Sequence, residues 1–412
     1  MVRLLILALL PMSALADSRQ NHALRVGVEL VAAHQDASES WLDGGLGKLA
    51  STGSGFEAQS AFLDYEGRLS DTLSFMLAAE AYNDSAGRAF DVTEAFFEWR
   101  PIPSNEYRMR VRGGVFFPRL SMENTESGWR SPFSDSFSAI NTWIGEELRT
   151  LGAEVDVSRR VQLAGRFAEV GVFASVFAAN DPAGSLLAWR GWALHARQTR
   201  LDDALPLAVL PAFADGAPFQ AQADYVRPFR ETDDAAGFHT GVRLRFGAQL
   251  AVEASHYDNR AEPESIENGQ YGWATRFDHI GLRARLPGRL TLISQWMAGT
   301  SEMGPFANNW HAADIAFDSY FVLLSRNFGD ASLTARYDDF EVRDRDVTPL
   351  DDNNEDGSSL TVSLRYAFSR QVSLGGEWQD IRSDRPARNV LLTPAEQNER
   401  RLSLTLRASF SL

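Results

Sequence analysis

Residues 402–412 read Leu-Ser-Leu-Thr-Leu-Arg-Ala-Ser-Phe-Ser-Leu, with Leu402, Leu404, Leu406, Ala408, Phe410 and Leu412 on one face and Ser403, Thr405, Arg407 and Ser409 on the other. Strict alternation of this kind is the pattern of a strand with one apolar and one wet face. Two more such strands lie just upstream. Leu360, Val362, Leu364, Tyr366 and Phe368 alternate with Ser359, Thr361, Ser363 and Arg365, and Val372, Leu374, Gly376 and Trp378 alternate with Ser373, Gly375, Glu377 and Gln379. Only Ser369-Arg370 separates them, so they predict a tight hairpin.

Working back from this hairpin, the same pattern predicts strands near 331–342, 314–328, 289–299, 271–286, 249–258 and 237–246. In the N-terminal half it predicts strands near 24–33, 54–67, 72–83, 90–100, 106–117, 147–157 and 160–178. Short connections (Gly329-Asp330, Pro287-Gly288, Gly247-Ala248) alternate with long polar ones (34–53, 118–146, 259–270, 299–312, 343–357 and 383–399). Short turns at one end and long loops at the other are the signature of a transmembrane antiparallel up-and-down β-barrel, with the short turns periplasmic and the long loops extracellular. A soluble β-sandwich does not predict that asymmetry. Segment 180–236, with Asp181-Pro182 and the proline-rich stretch Pro206 to Pro218, holds either two strands (186–199 and 219–230) or none, because the flanking strands fix the parity. The barrel therefore has 16 to 18 strands. Eighteen is favoured, because a structureless stretch this long far exceeds the roughly 15 residues at which loops become uncommon.

The first residues supply a compartment. Arg3, the apolar run Leu4 to Leu10 and Ala14-Leu15-Ala16 before Asp17 form a secretory signal peptide over 1–16, cleaved after Ala16. The mature chain, 17–412, is then a single barrel domain. The run is shorter than the roughly 20 apolar residues of a membrane-crossing helix. No longer run follows it, and the mean hydropathy of -0.25 suits alternating strands. The chain has no cysteine, hence neither a disulfide nor a lipidated N-terminal cysteine.

Across nearly all of 17–412 this pattern resembles the Gram-negative outer-membrane porins of the larger size class. Gly114-Val115-Phe116-Phe117-Pro118, which closes a strand and opens the 118–146 loop, is similar to the Gly-x-Phe-x-x-Pro strand end of the phosphate-selective porin group, with one residue fewer before the proline. The family's last strand ends in an aromatic residue, whereas this one ends in Leu412 with Phe410 on the same face. The resemblance implies an outer-membrane channel in contact with lipid and lipopolysaccharide, inserted by the barrel-assembly machinery and commonly a homotrimer. Trp99, Phe117, Tyr366, Phe368, Trp378 and Phe410 are expected to face outward as an interfacial girdle.

Arg108, Arg110 and Arg112 alternate with Tyr107, Met109 and Val111, so the three guanidinium groups share one strand face. That face must be the lumen, since an arginine facing lipid at mid-depth costs about 2–4 kcal/mol. Glu94 and Glu98 on the preceding strand and Glu154 and Asp156 on the following one carry the opposite sign. Two readings stand: the charges pair and stiffen the wall, or some arginines stay free to meet anionic solutes. Arg166, Arg243, Arg245, Arg283, Arg285, Arg336 and Arg365 are further candidate pore-lining residues. Loop 118–146 is the candidate constriction. Folded inward, its Glu123, Glu126, Asp135, Glu146 and Glu147 would face the basic wall and favour small polar or zwitterionic solutes; left outside, the loop would pack its aromatics over the mouth.

Asp352-Asn353-Asn354-Glu355-Asp356-Gly357 matches the opening of a calcium loop through Asp352, Asn354 and Asp356, but position twelve is Ser363 inside a strand. It reads better as a solvated acidic loop. The net charge of -15 argues against nucleic acid, and no cofactor motif is present. Neither Gly-x-Ser-x-Gly nor His-Glu-x-x-His occurs. The expected function is diffusion of small polar or anionic solutes without enzymatic activity. The alternatives are a specific or export channel for acidic oligosaccharide or phosphate-like anions, an outer-membrane hydrolase with a Ser-His contact on the wall, and a structural barrel with a closed lumen.

Overall fold

The computed structural model describes residues 22–412 apart from 51, 52, 85, 105, 164 and 308; the signal peptide expected at 1–16 lies outside the described residues. Sixteen strands, each antiparallel to its neighbours, form one closed barrel. They are β1 (His22–Asp36), β2 (Gly55–Arg68), β3 (Leu73–Tyr82), β4 (Asp91–Trp99), β5 (Tyr107–Phe116), β6 (Thr150–Leu163), β7 (Arg166–Ala178), β8 (Gly237–Phe246), β9 (Leu250–Asp258), β10 (Ala274–Leu286), β11 (Leu290–Met303), β12 (Ala313–Phe328), β13 (Ala331–Asp344), β14 (Glu355–Ala367), β15 (Val372–Asp384) and β16 (Glu396–Ser411). The ring closes where β1 meets β16, from Arg25 opposite Ser411 to Asp36 opposite Arg400. Closure leaves no edge strand to recruit another chain.

The alternation in 402–412 has the sense of a membrane barrel. Leu402 and Leu404 are 56% and 55% exposed on the outside, while Ser403 and Thr405 are buried toward the lumen. An apolar exterior around a polar interior inverts the packing of a soluble sandwich and suits strands surrounded by lipid. Connections 69–72, 100–106, 164–165, 247–249, 287–289, 329–330 and 368–371 lie at the end that carries His22 and Leu412; 37–54, 83–90, 117–149, 179–236, 259–273, 304–312, 345–354 and 385–395 lie at the other. The Gly329-Asp330 turn uses a left-handed Gly329 (φ 68), which a side chain would strain.

The preference for eighteen strands is corrected to sixteen. Segment 179–236 contributes no barrel strand; it holds a short helix (Ser185–Trp189), one 3-10 turn (Pro211–Phe213) and a two-residue pairing of Leu205–Pro206 with Tyr225–Val226. The apolar run Leu186-Leu187-Ala188-Trp189 is buried on every side, whereas a barrel strand must show one face to lipid and one to water. Pro206, Pro211 and Pro218 lack the N–H a ladder needs.

The apolar core therefore lies inside the barrel, toward the long-loop end. Segments 37–50, 117–149 and 179–236 bring together Trp41, Phe117, Trp129, Ile140, Trp143, Leu186, Trp189 and Trp192 against the inward-facing Phe277 and Phe317 of the wall. Within segment 117–149 a helix spans Ala139–Glu147, capped by Ser138, whose hydroxyl accepts from the Asn141 amide at 3.3 Å. All nine of its residues are buried, as expected of a helix walled in on every face.

Candidate pore and constriction

On the inner face of β5, Arg108, Arg110 and Arg112 stand opposite Ser158, Asp156 and Glu154 of β6. Arg112 makes a two-point contact with Glu154 at 3.0 Å and lies 4.0 Å from the Phe116 ring centre. Arg110 reaches Glu154 at 3.3 Å and Glu98 at 3.4 Å, and Arg108 reaches Glu169 at 3.3 Å. From other segments, Arg119 and Arg243 each meet Asp156 at 2.9 Å. Glu94 instead accepts from the Phe117 amide at 3.1 Å, fixing the strand end. The arginine column is thus paired in place across strands, and its charge is largely compensated within the wall.

Segment 117–149 runs through the lumen and is bonded to the wall on several sides. Arg336 of β13, fully buried, contacts Glu123 at 2.9 Å and Asp338 at 2.8 Å and donates to the carbonyls of Ser136 and Phe137, both at 2.8 Å. Arg365 of β14 pairs with Asp135 at 2.9 Å. On the far side Arg130 pairs with Asp64 of β2 at 2.8 Å and with Glu80 of β3 at 2.5 Å, its guanidinium 3.8 Å from the Phe62 ring centre. The expected opposition of acidic loop and basic wall occurs at Glu123 and Asp135. It involves β13 and β14 rather than the β5 arginines, and Arg130 reverses it against β2 and β3.

Glu146 and Glu147 depart from the expectation that they face the basic wall. Glu146 bonds Arg190 at 2.6 Å and His195 at 2.8 Å. Burial pushes its carboxyl pKa up, but Arg190 and His195 outweigh burial and hold it at about 2. Glu147 accepts from the Gly184 and Leu186 amides, both at 3.0 Å, and from the Ser185 hydroxyl at 2.9 Å. Both residues anchor segment 179–236 inside the mouth, and the buried Lys48 ties segment 37–54 to the wall by pairing with Glu355 at the start of β14. Burial brings the Lys48 ammonium down to about 7 against that pull. Lys48 is the only lysine in the chain, a signal the composition gave without showing its partner. Arg130 and Arg190 carried no sequence signal, because their partners are 50 or more and 44 residues away.

Between this packed interior and the inner faces of β1, β2, β3, β15 and β16 remains a cavity of about 100 Å³. Its walls include Glu29, Glu57, Ser60, Glu80, Gln379, Arg401 and Arg407 from the barrel and Arg130, Ser131, Ser136 and Arg197 from the inner segments. No family model matches the chain, and no curated sequence does. Among solved structures it is similar to the outer membrane channel DcaP of Acinetobacter baumannii, at 10% identity over 95% of this chain and 98% of that one, with a TM-score of 0.56. It is also similar to an anion-selective porin from Comamonas acidovorans, at 12% identity over 94% and 99%, with a TM-score of 0.50. The chain has the fold of the outer-membrane porins.

The remaining candidates lie elsewhere on this porin fold. Arg245 of β8 and Arg283 and Arg285 of β10 lie near the short-turn end and have no ion-pair partner among the described residues. Arg166 is a correction: it shares its parity on β7 with the exposed Val170, Val172 and Val176 and is itself exposed. Arg166 pairs with the outward Leu163 of β6, so the even positions that face inward on β6 face outward on β7. The girdle is corrected at Phe117, which turns inside and stacks on Trp129 at 4.1 Å; Trp99, Tyr366, Phe368, Trp378 and Phe410 are exposed outside. The calcium-loop candidates bond locally. Asp352 accepts from the Asn354 amide at 3.1 Å, Asn354 Oδ1 accepts from the Asp344 amide at 3.0 Å, and Asp356 is a β14 residue. Glu126 is half-buried, its amide bonded to the Arg130 carbonyl at 3.1 Å.

Proposed function

We propose that this chain is an outer-membrane channel for small polar solutes, with the passage running along β1 to β3 and β15 to β16 beside segment 117–149. The observation that carries this reading is the polar cavity left between that segment and the wall. Its lining alternates acid and base, Glu29 with Arg407 at 2.5 Å and Glu80 with Arg130 at 2.5 Å, which supports weak ion preference and a small size limit. Segment 117–149 is then the constriction, and segment 179–236 narrows the mouth above it. Lipid, lipopolysaccharide, the assembly machinery and a trimeric state belong to the same proposal.

The depth of apolar packing around Trp143, Trp189 and Trp192 supports a second reading, a barrel whose lumen is closed. A hydrolase gains no such support: the one Ser-His side-chain hydrogen bond among the described residues, Ser54 to His34 at 3.4 Å, is exposed on the rim. Refolded protein in a planar bilayer separates the two. Steady single-channel steps with a reversal potential near zero in a potassium chloride gradient support the channel, and insertion without steps supports the closed barrel.

A further inference from the structure

The charged side chains around the cavity divide into two classes. Glu29, Glu80, Arg130, Asp135, Arg197 and Arg407 each have an opposite charge within 2.9 Å. Glu57 of β2 and Arg401 of β16 have no ion-pair partner among the described residues, although both line the same cavity. Arg401 is 9% exposed and donates one hydrogen bond, to Ser403 at 3.3 Å, while its buried Nε has no acceptor. A buried guanidinium donor without an acceptor is costly, and its natural complement is a carboxylate. Glu57, half-buried, offers the converse, a carboxylate facing the cavity without a cation.

Their placement fits one small ligand. Both flank β1: Glu57 stands opposite Val31 on one side and Arg401 opposite Gln35 on the other. That is four residues, about 13 Å, along β1 and two strand spacings, about 10 Å, across it. Long side chains reaching inward from such positions leave a gap suited to a molecule with both signs of charge a few bonds apart. Ser60, Ser131, Ser136 and Gln379 supply uncharged polar groups around it.

We infer that the cavity holds a subsite for a small zwitterion of the α-amino-acid class, its ammonium group on Glu57 and its carboxylate on Arg401. A net anion would meet only Arg401 and be opposed by Glu57, and a net cation the reverse. A neutral solute would leave both charges without a partner. The inference rests on the channel reading, and its test separates the two.

Alanine and lactamide are isomers of the same size, one zwitterionic and one neutral. Liposomes carrying the protein are diluted into each, and swelling rates are compared. The wild-type channel is expected to admit alanine at least threefold faster than lactamide. Glu57→Gln and Arg401→Gln should each bring that ratio close to one while lactamide still enters. Lactamide entry without preference for alanine, or a preference unchanged in both variants, overturns the subsite and leaves the channel standing. Entry of neither solute overturns the channel and the subsite with it. Because Arg401 is buried, folding of its variant is checked by circular dichroism; Glu57→Gln, at a half-buried site, carries the test if Arg401→Gln misfolds.

Discussion

Arg336 holds segment 117–149 to the wall, and its removal gives the sharpest prediction. The guanidinium and both of its carboxylate partners, Glu123 and Asp338, are fully buried. Arg336→Met keeps much of the side-chain length but leaves two buried carboxylates uncompensated. Breaking a buried pair from one side costs about 3–5 kcal/mol. The sixteen-strand ladder does not depend on Arg336, so the loss falls on docking of the segment rather than on the barrel. At about 1.36 kcal/mol per power of ten, the segment's opening equilibrium rises by roughly two to nearly four powers of ten. Amide hydrogen exchange reports such local opening. In detergent-solubilised protein, amides of 134–142 should exchange faster by that factor in Arg336→Met, those of β13 away from the site should not, and Arg326→Met, exposed on β12, should match wild type. Unchanged protection of 134–142 in a folded Arg336→Met protein would refute the claim that this arginine anchors the segment.

Three further outcomes follow from the contacts around it. Gly114 sits at φ +134 with the carbonyl oxygen of Ala95 only 2.4 Å from where a Cβ would stand, so Gly114→Ala should prise β4 from β5 and abolish the heat-resistant folded band on a gel. Glu146 is held at about 2, below its ordinary 4.5, so its pairing stabilises the mouth above about pH 4.5 and is lost as pH falls from there toward 2. Tryptophan emission should shift across that window in wild type and lose that step in Glu146→Gln, whose mouth is loosened at neutral pH. Arg110 shares Glu154 and Asp156 with Arg112, Arg119 and Arg243, so Arg110→Ala should move the reversal potential only slightly toward cations; a large swing would mean that the column carries free charge.

The barrel was legible because lipid outside and water inside impose the same two-residue period on every strand, as in 402–412, and because the long connections all fall at one end. The arginine strand was legible for the same reason: parity alone placed Arg108, Arg110 and Arg112 inward. What parity does not encode is where a long segment goes once it leaves the wall. The run 186–189 reads as apolar with no face, which suits a buried strand or a buried plug equally, and only its packing on Trp41, Trp143 and Trp273 distinguishes them. Phe117 looked outward because it closes the expected strand 106–117 on the face of Tyr107, Met109 and Val111, yet the chain turns inward there to stack it on Trp129. Arg166 failed because inward parity does not carry across the hairpin: its partner Leu163 faces outward, so even positions, inward on β6, are outward on β7. The carboxylate partners of Arg130 and Lys48, and Glu123 opposite Arg336, are 50 or more residues away in sequence, beyond any local pattern.

The central claim is that solutes pass between segment 117–149 and the wall formed by β1 to β3, β15 and β16. The chain has no cysteine, so a single introduced one reports cleanly. Ser60 and Ser131 line the cavity from opposite sides, and Asp352 lies on an exposed loop away from it. Single-channel current is recorded before and after a charged methanethiosulfonate reagent, with labelling confirmed by mass spectrometry. The account predicts a stepwise loss of current for Ser60→Cys and Ser131→Cys and none for Asp352→Cys. Unchanged current through fully labelled Ser60→Cys and Ser131→Cys channels would contradict it and place the passage elsewhere in the lumen.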